Sequence, residues 1–275
     1  MSALIVCVWV LAGVCLAVWV TSLATHEHSW VDRIWSIIPV AYVAIFAARA
    51  DFYDVRLDLM LGLVVLWGVR LTYNFARKGG YAPGGEDYRW AVLRGRMPRW
   101  QFQLFNLFFI TIYQNVLLLL ITLPAYTALR HRGNVGVLDI VAVAVFLGCL
   151  VGETVADQQQ WTFQTWKRDE IAAGHDPHPR FVQTGLFQYS RHPNFFFEQA
   201  QWWVIFAFGA IAAGSVTQWT VAGAVLLTLL FVGSTRFTES ISLSRYREYA
   251  DYQDTTSAVI PWFPKGAPDE ATKPA

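Results

Sequence analysis

Apolar residues along this chain gather in long runs and do not alternate with polar ones. Runs near the roughly 20 residues that cross a hydrocarbon core lie at about 3–24, 34–48, 57–76, 102–129, 136–156, 195–213 and 217–235. They predict an all-α integral membrane protein with about seven transmembrane helices. The second run is short, and Tyr113, Gln114 and Asn115 interrupt the fourth. Pro39 and Pro124 are expected to kink or end their helices, because proline lacks an N–H and crowds the preceding turn. The run from Ala3 to about Leu23 has no basic stretch before it and exceeds the apolar core of a usual secretory signal, so it reads as a retained first span.

The polar links carry the topology. Arg77, Lys78, Arg89, Arg94, Arg96 and Arg99 follow the third run, and Lys167, Arg168, Arg180 and Arg191 follow the fifth. An excess of Lys and Arg marks the cytoplasmic side. The links after the second and fourth runs hold only Arg49, Arg56, Arg130 and Arg132. Charge and parity over seven spans then agree on an outside N-terminus and a cytoplasmic C-terminus, in a membrane that the compact loops suggest is a bacterial inner membrane. The links at 77–101 and 160–194 are long for plain connections, and their Trp, Tyr and Arg content predicts ordered cytoplasmic loops that cap the helix ends. Residues 1–264 read as a single membrane-embedded domain, with 265–275 a disordered tail.

Composition agrees with this reading and narrows it. The chain is 55% hydrophobic, 16% aromatic and 15% charged, with a formal net charge of +1. The basic residues are scattered in short loops, which argues against a nucleic-acid partner. Cys7, Cys15 and Cys149 lie inside apolar runs without paired spacing, so neither a disulfide framework nor a zinc site is indicated. His26 and His28 flank Glu27, and His175 and His178 flank Asp176, but no further ligands follow at suitable spacing, and solvated loop residues are the simpler reading. Gly79-Gly80 and Gly84-Gly85 follow no strand and lack dinucleotide-fold spacing.

The stretch from Gly185 to Glu198, Gly-Leu-Phe-Gln-Tyr-Ser-Arg-His-Pro-Asn-Phe-Phe-Phe-Glu, carries the most chemistry. Pro193 suits the first turn of a helix, and free N–H groups beside Arg191 and His192 would make an anion site. Asn194 and Glu198 fall one turn apart on one face. Arg70 lies within the third run, Glu153 and Asp157 one turn apart at the end of the fifth, and Asp32 and Arg33 at the mouth of the second. Such groups inside a membrane are costly and usually functional. With seven spans they converge on the cytoplasmic third, where a charged ligand from the cytoplasm could meet an apolar one from the bilayer. The plainer reading makes Glu198, Arg70 and Asp157 members of structural ion pairs that fix helix register.

These residues also resemble a known family. The Gly185–Glu198 motif followed by Trp202, Asp157 within Ala156–Lys167, the Gly85-Glu86-Asp87-Tyr88-Arg89-Trp90 segment and the closing Glu248–Pro264 are similar to the DUF1295 branch of the steroid 5α-reductase superfamily, over about Asp32 to Pro264. The resemblance implies a seven-helix membrane fold and NADPH-dependent reduction of the 4,5 double bond of a 3-oxo-Δ4 steroid or related enone. Carried over by motif, Asn194 falls at the nicotinamide end, with Glu198 beside it. Asp157, Arg180, Arg70 and Arg96 match cofactor-facing positions, and Asp32 falls where an acidic residue meets the steroid carbonyl. Glu153, Arg191, His192, Arg236 and Arg245 complete the expected cofactor set. Trp67 stands where the animal enzymes place a carbonyl-polarising Tyr, which leaves Tyr73, Tyr88 and Tyr113 as candidates; their C-terminal histidine cluster is also absent, with Arg236, Glu239 and Arg245 in its region.

Reduction of an enone needs hydride at the β-carbon and an acid at the ketone oxygen, where electrostatic stabilisation of the enolate is the largest contribution. A carboxyl kept protonated by an apolar pocket can supply that hydrogen bond. Glu198 or Asp32, with a Tyr such as Tyr88, fits the role, and membrane lipid surrounds the site. Two rivals share features of the sequence. An S-adenosylmethionine-dependent membrane methyltransferase of isoprenylcysteine or phospholipid type has a similar helix start and closing segment. A non-catalytic sterol-binding protein would keep the apolar cavity without the cationic mouth.

Overall fold

The computed structural model describes residues 1–266; the expected tail lies almost wholly outside them. The described residues are helical, with no strand among them. They gather into two compact units, Met1–Leu147 with Gln201–Leu227, and Gly148–Ala200 with the described part of Thr228–Ala275.

In the first unit, α1 (Ala3–Thr25) starts at Ser2, whose hydroxyl accepts from the Ile5 N–H at 3.3 Å. The second apolar run is broken: α2 (Trp30–Ile34) and α3 (Ile38–Ala48) flank a turn just before Pro39, as proline at the start of a helix requires. Next comes α4 (Val55–Arg77), capped by Asp54. It crosses the α2–α3 turn at Gly68, where a Cβ would lie 2.6 Å from the Ser36 carbonyl oxygen. After the short helices α5 (Tyr88–Arg96) and α6 (Arg99–Phe105), the fourth run continues as a π-helix over Asn106–Tyr113 and then as α7 (Gln114–Arg130). The polar trio 113–115 thus does not interrupt the helix, and Pro124 lies inside α7 without ending it. Gly209 and Gly223, on two later helices of the same unit, let those backbones come within van der Waals reach of Pro124 and Leu120.

An ion pair closes this unit. Arg56 at the head of α4 donates to both carboxylate oxygens of Asp139, at 2.7 and 2.9 Å, on the first turn of α8 (Val137–Ala172). The Asp139 side chain is fully buried, and Arg56 also donates to the Asn134 carbonyl at 3.0 Å. Arg56 had read as an ordinary loop cation; its partner lies 83 residues away, beyond any local pattern.

With 36 residues, α8 is about 54 Å long at 1.5 Å per residue, far more than the roughly 30 Å of a hydrocarbon core. Its later half belongs to the second unit, together with α9 (Pro193–Ala213) up to Ala200, α10 (Val221–Arg245) from Thr228, and α11 (Tyr249–Thr255). There α8 and α9 meet at Gly152, where a Cβ would lie 2.5 Å from the Phe197 ring, and α9 meets α10 through Phe195 and Phe231, centroids 4.8 Å apart.

Six helical stretches among the described residues are long and apolar enough to cross a membrane: Ala3–Thr25, Trp30–Ala48, Arg99–Arg130, Val137–Ala172, Pro193–Ala213 and Val221–Arg245. The remaining predicted run forms α4, which carries Arg56, Asp58, Arg70 and Arg77 yet turns Val65, Leu66, Val69 and Tyr73 outward. Outward-facing Ile5, Val8, Trp9, Leu16 and Val20 on α1, and Val141, Val145, Val151 and Val155 on α8, form apolar faces suited to lipid.

Candidate functional site

In the first unit the link 77–101 folds over the ends of α1 and α2 as an ordered cap. Trp90 of α5 packs with Val18, Val31, Phe102 and Ile110, and its indole N–H donates to Asp32 at 3.0 Å. Asp32 is therefore partly buried at the rim of an apolar cluster with an indole as donor. Around it runs a ring of paired charges. Glu27 accepts from the Gly84 N–H at 3.1 Å and from Arg33 at 2.6 Å, and these bonds hold its pKa below the ordinary carboxylate value. Glu86 accepts from the backbone and ring of His28, at 2.7 and 3.1 Å, and pairs with Arg94. Burial lowers the His28 pKa, against the pull of Glu86. Burial also works against the Arg89 charge, but the Asp87 carboxylate, 2.7 Å away, outweighs it and raises the pKa.

This cap uses three of its cations within the protein itself. Arg33, Arg89 and Arg94 are engaged with carboxylates of the same link or of the α1–α2 turn. Arg96 is exposed at the end of α5, and Tyr88 is 47% exposed at its start. Tyr73 faces outward on α4, and the Tyr113 hydroxyl donates to the Leu226 carbonyl at 3.3 Å. Arg70 is half-buried on α4.

The second unit holds most of the remaining site residues. Glu153, Asp157 and Glu198 are 4%, 4% and 5% exposed. They lie on α8 and α9 at the level of the Gly152–Phe197 contact, and Asn194 is half-buried one turn before Glu198. Further along α8, Gln159 accepts from the Leu186 N–H at 2.9 Å, and Ala156 packs with Val182 and Phe187. Gly185 has φ +65°, and a Cβ there would meet the Gln159 side chain at 2.4 Å, so this position needs glycine on two counts.

The anion site expected beside Arg191 and His192 is filled by the protein itself. The Arg191 N–H donates to the Ser257 carbonyl at 2.8 Å and the His192 N–H to the Ala258 carbonyl at 3.1 Å. The Arg191 guanidinium donates to both oxygens of Glu239, at 2.7 and 3.1 Å, to the Gln253 carbonyl at 2.9 Å and to the Thr256 carbonyl. His192 and Gln253 also bond Glu239, at 3.1 and 2.7 Å. Four of the five guanidinium donors are thus spent on α10 and the C-terminal segment, and Glu239 is the hub of the cluster. In the sequence Glu239 stood out only as one of the residues in place of the animal enzymes' histidine cluster, and the carbonyls that share Arg191 with it leave no trace in side-chain pattern. Arg180 pairs with Asp176 at 2.6 Å, while Arg236 and Arg245 are exposed on α10.

Long apolar helices with buried carboxyl groups and ordered polar caps define an integral membrane protein with a chemically equipped interior. The chain belongs to the DUF1295 family, described as a protein of unknown function, whose model matches residues 18–256. It is 40% identical over 263 residues to the uncharacterized protein C594.04c of Schizosaccharomyces pombe, a match that covers 88% of this chain and 75% of that one. No solved structure matches it.

Proposed function

We propose that the protein reduces the 4,5 double bond of a 3-oxo-Δ4 steroid, or of a related membrane-soluble enone, with NADPH. The observation that carries this reading is the set of three buried carboxyl groups, Glu153, Asp157 and Glu198, with Asn194 one turn away. Ionisable groups inside a membrane usually mark a functional site, and the ribose hydroxyls and carboxamide of a nicotinamide nucleotide are donors that carboxylates bind. Exposed Arg236 and Arg245 in the same unit suit its phosphates, whereas Arg191 contributes by fixing the start of α9. The bound cofactor supplies the hydride.

Asp32 is assigned the acid role. Its place at the rim of an apolar cluster favours a carboxyl that holds its proton and donates to a ketone oxygen, against the hydrogen bond from Trp90, which favours the ionised form. Glu198 is assigned the reacting end of the cofactor, with Asn194 one turn before it. The substrate class follows from the family resemblance. With α4 as a seventh span, the charge distribution supports an outside N-terminus and a cytoplasmic C-terminus, and the compact loops suit a bacterial inner membrane.

The test is incubation of detergent-purified protein with NADPH and progesterone, with cofactor absorbance and the mass of the extracted steroid followed together. The expected product carries two more hydrogens and forms only with NADPH. No reduction, with S-adenosylmethionine bound instead, would move the methyltransferase to first place. That second reading draws on one observation, the internal use of Arg191, because its cofactor has no phosphate to bind.

A further inference from the structure

The closing segment Val259-Ile260-Pro261-Trp262-Phe263-Pro264 is apolar, contains two prolines and lies outside every helix. Buried positions would be expected for its large side chains, yet Ile260, Trp262 and Phe263 are 67%, 71% and 78% exposed. The backbone that carries them is fixed. Trp262 N–H donates to the Tyr189 carbonyl at 2.9 Å, Lys265 N–H to the Thr255 carbonyl at 2.8 Å, and Ser190 Oγ to the Val259 carbonyl at 2.7 Å. The Phe263 ring meets Tyr189 edge-on, with centroids 6.2 Å apart. Three large apolar side chains are therefore presented outward from a pinned strip of chain.

The level of that strip is set by the same bonds. The carbonyl of Ala258, the residue just before it, accepts from the N–H of His192, the residue before Pro193, where α9 begins. With 21 residues, α9 is about 32 Å long, close to the roughly 30 Å of a hydrocarbon core, so its first residue lies at the edge of that core. Ile260 follows Ala258 by two residues. Trp and other aromatic side chains favour this boundary, where an apolar ring and a polar edge both find partners, and Lys265 follows at once for lipid phosphate.

We propose that Ile260, Trp262 and Phe263 form an interfacial anchor that inserts into the headgroup layer of the protein's own bilayer. The anchor holds down the segment whose carbonyls bond Arg191 and His192, and so seats the start of α9 at the membrane surface. It rests on the membrane-spanning nature of the chain and is independent of the reaction assigned above.

The full chain, with Cys15→Ala and Cys149→Ala and buried Cys7 left in place, is reconstituted in nanodiscs of phosphatidylcholine and phosphatidylglycerol. A nitroxide is attached at Phe263→Cys or, as a water-facing control of the same unit, at Asp254→Cys. The expected result is a several-fold higher ratio of oxygen to nickel-complex collisions at position 263 than at 254, and the same depth from Ile260→Cys. Equal ratios at the three positions would overturn the proposal. Spin–spin broadening at 263 that grows with the number of chains per disc would assign the patch to a second copy and overturn it as well.

Discussion

Replacing Arg191 with Ala separates a structural guanidinium from a cofactor-binding one. The substitution leaves Glu239, 9% exposed at its side chain, without its bidentate partner, and removes the donor from the Gln253 and Thr256 carbonyls. Removing one partner of a buried ion pair costs about 3–5 kcal/mol. At about 2–4 °C per kcal/mol for a chain of this size, the melting temperature should fall by about 6–20 °C. The assay is thermal unfolding in detergent, with limited proteolysis after Lys265 as a local readout. Arg191→Ala with Glu239→Leu removes both charges and should recover much of the loss. A single variant that melts like the native chain, keeps its C-terminal segment protected and only binds NADPH more weakly would refute the structural role.

Further outcomes follow from the same geometry. Asp32→Asn should lower enone turnover by at least about 100-fold, the low end for loss of a general acid, while Tyr88→Phe, at a half-exposed position, should leave it close to native; equal loss in both would remove Asp32 from the acid role. Gly223→Ala should destabilise more than Gly152→Ala, because its Cβ meets the Leu120 backbone at 2.3 Å and that of Gly152 meets a side-chain ring at 2.5 Å; matched melting curves settle the order. His28 has a folded pKa below its ordinary 6.5, so the unfolded chain takes up its proton first and stability should fall as pH drops below 6.5. His28→Gln should flatten that slope, and an unchanged slope would assign it to another group.

The helices were legible because a bilayer imposes one length and one polarity on anything that crosses it. The run at 34–48 was found, and its break before Pro39 follows from the proline's own geometry. The trio at 113–115 misled, since polarity in an apolar run looks like an interruption, whereas the chain absorbs it through a π-helix and the Asn115 bond to the Thr111 carbonyl at 2.7 Å. At the site, Glu198, Asp157 and Glu153 were visible as carboxyls in apolar surroundings, and they are buried. What Arg191 touches was not visible. Three of its partners are backbone carbonyls, counting that of its own N–H, and every residue has one, so no side-chain pattern singles out Gln253, Thr256 and Ser257.

The same arrangement orders events during synthesis. Arg191 waits for carbonyls 62 and 65 residues downstream, which at about 5–20 residues per second emerge roughly 3–13 s later. Until then the nascent chain holds a cation at the mouth of α9 with only part of its final company. A translation stop between Glu239 and Thr256 would leave that cation, Glu239 and His192 without the strip that covers them.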